Sequence, residues 1–396
     1  MTKTMNLSQR RYDLDWLRVF AIVLLLYFHV GMFFTSWEWH VKNYESSRVV
    51  DCILAFLHQW RMPLLLFISG AGTVFASSRR NKKQFAVERQ KKLLIPLIFS
   101  IFVIVPPQIY IERIANFSSY WQFYPTVFEF VPYPLGGSFS WHHMWFVLYL
   151  FVYSILAIPF IWYLRSYRSS GFLTKIEYYF SRKWGVLSYL IPIIVTQIIL
   201  RPFFPEETHS LYNDWAYFVF NLAFFLAGIV VASSDRLWDI LVQYRRFHLS
   251  LGIASLVLME FLMLAPWREL QPHLFFSLEK LWDINEIFIS WTWVVALIGY
   301  GRKYLNRNHP WLRHLNEAIY PFYILHQTVI ILFAYPMINW QIGVGFKFLV
   351  LSTVSLFGSV AIYLVFVRPF NFMRILFGMK KKPRRSLLRE KEVVPA

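Results

Sequence analysis

The sequence is poor in cysteine and in charge, and both shortages restrict what the protein can be. Its 396 residues include a single cysteine, Cys52, which excludes an internal disulfide and any metal site built on cysteines. Charged residues make up only 16% of the chain, whereas hydrophobic residues make up 57% and aromatic residues 20%. This composition is typical of a polytopic membrane protein and argues against a set of soluble domains.

Several motifs of soluble enzymes are missing as well. The sequence has no phosphate-binding P-loop, no dinucleotide glycine fingerprint, no HExxH motif and no serine nucleophile elbow. It therefore predicts no metal site and no bound cofactor. No internal repeat is evident, which weakens an interpretation as a transporter built from inverted repeats.

Ten apolar segments are the dominant feature of the chain. They are centred on residues 19–34, 50–77, 93–111, 144–164, 186–200, 215–232, 249–265, 284–300, 317–335 and 346–367. Most are long enough to cross a bilayer as helices. We expect an all-α integral membrane protein with about ten transmembrane helices around a central polar cavity. Residues 1–370 are expected to form one transmembrane domain, followed by a basic cytoplasmic tail over 371–396.

The net charge of +18 comes from basic residues that are concentrated on one side of the predicted membrane topology. A cytoplasmic N-terminus places 32 of the 40 lysines and arginines on the cytoplasmic side. They lie in the N-terminal arm, the C-terminal tail and predicted loops over 77–92, 165–184, 233–248 and 301–314. This distribution obeys the positive-inside rule and predicts that both termini are cytoplasmic. Nucleic acid is therefore a poor explanation of the charge, and the tail is expected to face anionic lipid.

Ionisable residues inside the apolar segments are candidates for function, because they are costly at that depth. Arg18 and His29 are eleven residues apart, so they share a helix face and lie about 16 Å apart along its axis. His326, in the ninth segment, is expected at a depth similar to that of His29, which favours a shared polar chamber. His58 and Arg61 share one face of the second segment. The candidate partners of Arg61 are Glu206, Glu207, Asp214, Glu260 and Glu286.

Three other features each allow two interpretations. Arg89 and Lys92, at the start of the third segment, obey the positive-inside rule but also suit the phosphates of a cytoplasmic donor. The stretch Ser69–Gly72 fits close helix packing or a homodimer interface. The aromatic residues of the loop over 112–141 fit an interfacial belt or stacking faces for a sugar.

Several motifs together resemble the acyltransferase 3 family of multi-pass membrane acyltransferases. They are RVFAIVLLLYFH in the first segment, MWFVLYLFVY in the fourth and YPFYILHQTVIILF near the end. Two more motifs, FLHQWRMPLLLFISG and RQKKLLIP, are similar to a branch of the family whose members succinylate periplasmic glucans. The resemblance covers nearly the whole chain.

The resemblance implies an enzyme of the bacterial inner membrane. It implies transfer of an acyl group, of acetyl or succinyl type, from a cytoplasmic acyl-CoA to a hydroxyl of an extracytoplasmic glycan. It further implies that His29 is the catalytic histidine, with Arg18 as its partner, and that Arg89 and Lys92 bind the donor. Lys92 departs from the arginine of the family and lacks its bidentate fork. Four other positions match without an assigned role: His58, Arg61, Trp145 and His326.

Two mechanisms and two other functions stay open at this point. A neutral His29 can act as general base on the acceptor hydroxyl or take the acyl group itself. Arg61 is the candidate cation for an acidic donor such as succinyl-CoA. The alternative function is a proton- or anion-coupled transporter that uses His29, Arg61 and His326. In a membrane scaffold, by contrast, these residues would only hold helices together.

Overall fold

The computed structural model describes residues 10–266, 270–273 and 277–382. Its ten main helical segments, named α1 to α10 in chain order, are Tyr12–Met32, Arg48–Ser77, Lys82–Glu112, His142–Leu156 with Ile158–Leu164, Leu187–Leu200, Trp215–Ala232, Asp235–Leu264, Leu278–Tyr304, Pro310–Met337 and Val344–Val367. Among the described residues, eight helices are long and apolar enough to cross a membrane. The two parts of α4 are bent by 53°, and α5 is a shorter apolar helix.

Every predicted apolar segment therefore coincides with a helix or a bent helix pair. Across the described ranges, β-structure is limited to one isolated bridge between Pro132 and Phe139. Helices suit a bilayer because each satisfies its own backbone hydrogen bonds without water. The protein is an all-helical, multi-pass membrane protein.

The prediction of a loop over 233–248 is wrong, because most of these residues belong to the helix Asp235–Leu264. Ser234 caps α7 by accepting a hydrogen bond from the backbone nitrogen of Leu237 at 3.4 Å, and the helix then runs unbroken to Leu264. Leu237 and Leu241 are both buried, which is the i, i+4 pattern of an amphipathic helix. Charged residues around them, such as Arg236 and Asp239, hid this pattern in the hydropathy of the sequence.

Two hydrogen bonds, each between a helix and a connecting segment, identify the two ends of the bundle. At the end where α1 begins, here called proximal, the indole nitrogen of Trp16 donates to the carbonyl of Arg307, just before α9, at 3.3 Å. At the opposite, distal end, Lys347 of α10 donates to the side-chain oxygen of Asn43 at 2.7 Å. Helices α1 and α9 therefore run in the same direction.

Part of the predicted C-terminal tail packs against the bundle. Residues Asn371–Leu376 form a short helix, and the buried Arg374 makes an ion pair with Glu317 at 2.9 Å. Phe377 is 1% exposed, so the chain is anchored beyond the end of α10. The rest of the predicted basic tail, residues 383–396, lies outside the described residues.

Helices α2 and α6 cross at their closest approach through two glycines. A Cβ atom built on Gly70 would lie 2.0 Å from the carbonyl oxygen of Phe225, and one on Gly228 would lie 2.0 Å from that of Phe67. No larger residue fits either position without separating the helices. This contact supports the packing interpretation of the small residues near Gly70.

Replacing Gly70 with alanine should therefore destabilise the protein. The added methyl group must push α2 away from α6, and overpacking of this kind costs about 1–3 kcal/mol. Gly171→Ala is the matched control, because nothing lies within 4 Å of a Cβ atom at Gly171. Thermal unfolding in detergent should show a lower Tm for Gly70→Ala alone. Equal Tm values for both variants would contradict the close crossing.

Candidate active site

The two histidines predicted at similar depth are in direct contact. His29 of α1 and His326 of α9 have Nδ1 and Nε2 separated by 2.8 Å, and their rings are stacked with centroids 5.0 Å apart. His326 is completely buried, and its Nδ1 lies 2.5 Å from the carbonyl oxygen of Tyr323. The structure thus joins two helices at residues that are almost 300 positions apart in sequence.

The hydrogen bonds assign the tautomers of this pair. A carbonyl oxygen only accepts, so Nδ1 of His326 carries the proton that it donates to Tyr323. The Nε2 atom of His326 is then an acceptor, and Nδ1 of His29 donates to it. The Nε2 atom of His29 is left with its lone pair. An oriented imidazole with an available lone pair can accept a proton or attack an electrophile.

A third histidine, His143, completes a cluster that the sequence analysis missed. Its ring stands perpendicular to that of His326 with centroids 5.5 Å apart, and its Nε2 donates to the carbonyl of Ile324 at 3.1 Å. Gln108 of α3 lies 3.4 Å from its Nδ1 and donates to Thr328 at 2.7 Å. The only sequence signal for His143 was the histidine pair at the start of the fourth apolar segment.

The predicted donor-binding residues meet at the proximal end of the bundle. Arg18 packs beside Gly72 of α2. A Cβ atom built on Gly72 would lie 3.6 Å from Nη2 of Arg18. Arg89 lies within electrostatic range of Arg18, and its buried Nε has no hydrogen-bond partner among the described residues. Lys92 instead makes an ion pair with Glu88 at 2.6 Å. Arg18 makes a longer ion pair with Asp15, at 3.7 Å, whereas Arg89 makes no ion pair within the described part of the chain.

A π-helical turn over Gln90–Leu94 separates Arg89 from the rest of α3. Such turns add a residue to the helix and redirect the side chains around them. Glu88, which the sequence analysis did not single out, also binds Arg80 at 2.8 Å. One carboxylate thus holds two cations in place next to Arg89.

Arg61 lies in the apolar interior without an ion pair in the described structure. It is 6% exposed, and its guanidinium carbon lies 3.2 Å from the centre of the Phe28 ring. Its Nε and Nη1 atoms are buried and have no hydrogen-bond partner among the described residues. A buried cation with free donors next to His29 is a ready site for an anion.

Glu207, one of the proposed partners of Arg61, instead contacts other cations. It lies 3.4 Å from His58 and 2.9 Å from Arg201, although its charge also acts on Arg61. Trp145 stands near this cluster, with its ring 4.6 Å from that of His209. His58, about one helical turn before Arg61, also stacks on Phe28, with ring centroids 6.2 Å apart.

Mostly apolar side chains line two cavities in the described part of the chain. The larger of the two has a volume of about 530 Å³, and its walls include Phe67, Leu156, Phe160, Phe172, Phe180 and Trp291. The histidines of the cluster line neither of these two cavities. The polar chamber predicted from the sequence therefore stays a prediction.

The sequence profile of an acyltransferase domain, Acyl_transf_3, matches residues 11–368. The chain belongs to the acyltransferase 3 family. The family domain includes every site residue described above, from Arg18 to His326. The protein is thus a membrane acyltransferase.

Curated relatives of this acyltransferase share only part of its sequence. Glucans biosynthesis protein C of Escherichia coli K12 is 27% identical over 167 residues, which are 41% of each chain. The protein of the same name from Escherichia coli O6:K15:H31 is 26% identical over the same length. The match thus spans about two fifths of the relatives' length. No solved structure matches the chain.

The group formed by Glu207, His58, Arg201 and His209 at the distal end gives the acyltransferase a predictable response to acid. Burial raises the pKa of Glu207, but the hydrogen bond and charge of His58 and the charge of Arg201 outweigh it and lower that pKa to about 2. Burial lowers the pKa of His209 to about 4, against the opposing effect of Glu207. In the unfolded chain both groups take up protons at higher pH, so each contribution to stability is lost as the pH falls.

We expect the Tm to decrease first between about pH 6.5 and 4, where only the unfolded His209 is protonated. The stability that ionised Glu207 contributes to the folded state is lost between about pH 4.5 and 2. Glu207→Gln should lower the Tm at pH 7, and its difference from the wild type should shrink below about pH 4.5. Glu206→Gln is the control, because this neighbouring residue makes no ion pair in the described structure whereas Glu207 makes two. A constant difference across this pH range would contradict the ionic role of Glu207.

Proposed function

We propose that the protein transfers an acyl group from a cytoplasmic acyl-CoA to a hydroxyl of an extracytoplasmic glycan. The observation that carries this proposal is the hydrogen bond from His29 to His326, which leaves the Nε2 lone pair of His29 available. Family membership supports acyl transfer, and the relatives named for glucan biosynthesis support a glycan acceptor. The charge distribution supports a cytoplasmic proximal end.

In the proposed reaction, His29 acts as the general base. Its Nε2 takes the proton of the acceptor hydroxyl while the hydroxyl oxygen attacks the thioester carbonyl. The new C–O bond forms as the C–S bond breaks, and the proton on His29 passes to the departing thiolate. His326 positions His29 and stabilises the transient imidazolium through its own Nε2 lone pair. Direct acylation of His29 is the competing sequence of steps.

The proposed donor route runs along α1. The phosphates of coenzyme A would bind Arg18 and Arg89 at the proximal end, with Lys92 held nearby by Glu88. Arg18 precedes His29 by three helical turns, about 16 Å, so the extended arm of the donor must carry the thioester inward over this distance. The acceptor would then approach His29 from the distal end. The two substrates meet without either one crossing the membrane.

The free donors of Arg61 support an acyl group that carries a carboxylate. Arg61 is stacked on Phe28, the residue directly before His29, so a terminal carboxylate on the acyl chain can reach it while the thioester is at His29. A planar guanidinium binds a carboxylate through two parallel hydrogen bonds. This arrangement favours a succinyl-type donor over an acetyl-type donor.

His29→Ala should lower turnover about 10²- to 10⁴-fold, because it removes the general base. His326→Ala should lower kcat more than it changes the KM of the donor, because it acts on His29 and not on substrate binding. The assay measures release of coenzyme A thiol by purified protein with a soluble glucan, and mass spectrometry detects the acylated glycan. His314→Ala, at an exposed position, is the control.

Two further results would contradict the assignment. Full turnover by the His29→Ala variant would rule out a catalytic role for His29. Substrate uptake into proteoliposomes without thioester cleavage would favour a transporter.

Incubation with labelled donor but without acceptor separates the two mechanisms, because only the acyl-histidine route leaves label on the protein.

Arg61→Met should shift the donor preference. Loss of charge-assisted hydrogen bonds worth about 1.5–3 kcal/mol lowers kcat/KM for succinyl-CoA about 10- to 150-fold. Turnover of acetyl-CoA should change much less, since that donor offers no carboxylate. Arg246→Met, on the exposed side of α7, is the control. An equal loss with both donors would show that Arg61 has a structural role.

A further inference from the structure

Three ligand-type side chains converge at the distal end of the bundle, outside the histidine cluster. They are His40, in the segment between α1 and α2, Glu112, at the end of α3, and His142, at the start of α4. One nitrogen or oxygen atom from each lies within 4.8 Å of the other two. Because they come from separate segments, no spacing motif in the sequence could reveal them.

Each of the three side chains is held by a further contact. Both carboxylate oxygens of Glu112 accept from the hydroxyl of Tyr133, at 2.8 and 3.0 Å. Nδ1 of His142 is 2.7 Å from the hydroxyl of Ser140, and the side-chain amide of Gln327 lies 3.4 Å from Nε2 of His40. Supporting hydrogen bonds of this kind orient histidine and carboxylate ligands in metal sites.

An ion pair explains only two of the three residues. Nδ1 of His40 and Oε2 of Glu112 are 2.5 Å apart, with side chains 12% and 24% exposed. Nε2 of His142, in contrast, is buried and has no hydrogen-bond partner among the residues that the structure describes, and burying such an atom is costly. His142 also has a φ of 38°, a conformation that is rare outside glycine and is typical of functional positions.

The neighbouring Arg113 makes no direct ion pair with Glu112 in the described structure, although its charge acts on that carboxylate. Arg113 follows it directly, yet its Nη1 donates to the carbonyl of Gly137 at 2.9 Å. Its guanidinium carbon lies 5.1 Å from the centre of the Tyr133 ring. The negative charge of Glu112 therefore faces the two histidines.

We propose that His40, Glu112 and His142 bind one Zn²⁺ ion. Two imidazoles and one carboxylate are a ligand set that zinc prefers, and they leave a fourth position open. The ion replaces the proton shared by His40 and Glu112 and occupies the unpartnered Nε2 of His142. With bonds near 2.0 Å, the ligand atoms lie about 3.3 Å apart. Rotation of the two histidine side chains, whose rings are now stacked 4.5 Å apart, closes the site.

The ion would tie together the α1–α2 segment, α3 and α4 at the distal end. Gln327, which contacts His40, is the residue after His326, so the metal would also brace the middle of α9 near the histidine cluster. The site does not depend on the proposed acyl transfer, since it uses none of the residues assigned to catalysis.

Zinc content of the purified chain tests the site directly. Full-length protein, freed of any histidine tag and dialysed against buffer containing Zn²⁺ and then against metal-free buffer, should retain one Zn²⁺ per chain by mass spectrometry of metals. Co²⁺ in its place should give the intense visible absorption of a tetrahedral site. His142→Ala and Glu112→Gln should each lose the ion, whereas His314→Ala should keep it.

A graded variant and a stability measurement complete the test. Tyr133→Phe, which removes only a support of Glu112, should weaken Zn²⁺ binding about 10-fold. Added Zn²⁺ should raise the Tm of the wild type, and it should not raise that of His142→Ala. Wild-type protein that retains no zinc and shows no Tm increase would overturn the proposal. Zinc retention by the Glu112→Gln or His142→Ala variant equal to that of the wild type would overturn it as well.

Discussion

The contact between His29 and His326 is the constraint on which the rest of the site depends. Water is not available inside a bilayer to satisfy a lone imidazole, so each buried nitrogen needs a partner from another helix or from the backbone. The carbonyl of Tyr323 fixes one proton of His326, and His326 in turn fixes that of His29. This chain of two hydrogen bonds makes one nitrogen of His29 basic and points it away from its partner.

The two ends of the bundle hold separate charged clusters. Arg18 and Arg89 lie at the proximal end, each with a carboxylate nearby, whereas Glu112 and Glu207 lie among histidines at the distal end. Arg61 lies between these regions with free hydrogen-bond donors. Such a separation suits an enzyme whose two substrates arrive from opposite sides, because each substrate meets a different set of charges.

Several features of this arrangement were predictable because they follow from local patterns. Hydropathy located all ten helical segments, and the spacing of Arg18 and His29 placed them on one helix. Equal depth predicted that His29 and His326 share a region, and the structure brings them into contact. Local patterns failed where tertiary partners decide the outcome. The segment over 233–248 is helical because its apolar residues pack on the bundle, and Lys92 is neutralised by Glu88.

By itself, the sequence determined the class of the protein, its helices and the residues that resist burial in a membrane. These depend on transfer free energies and helical periodicity, which are local properties of the chain. Only the tertiary structure decided which polar groups meet, as with His143 beside His326, and which buried nitrogens of Arg61 and His142 have no hydrogen-bond partner among the described residues. Those outcomes depend on how helices distant in sequence cross, and close crossings such as that of Gly70 and Gly228 set how near the helices approach.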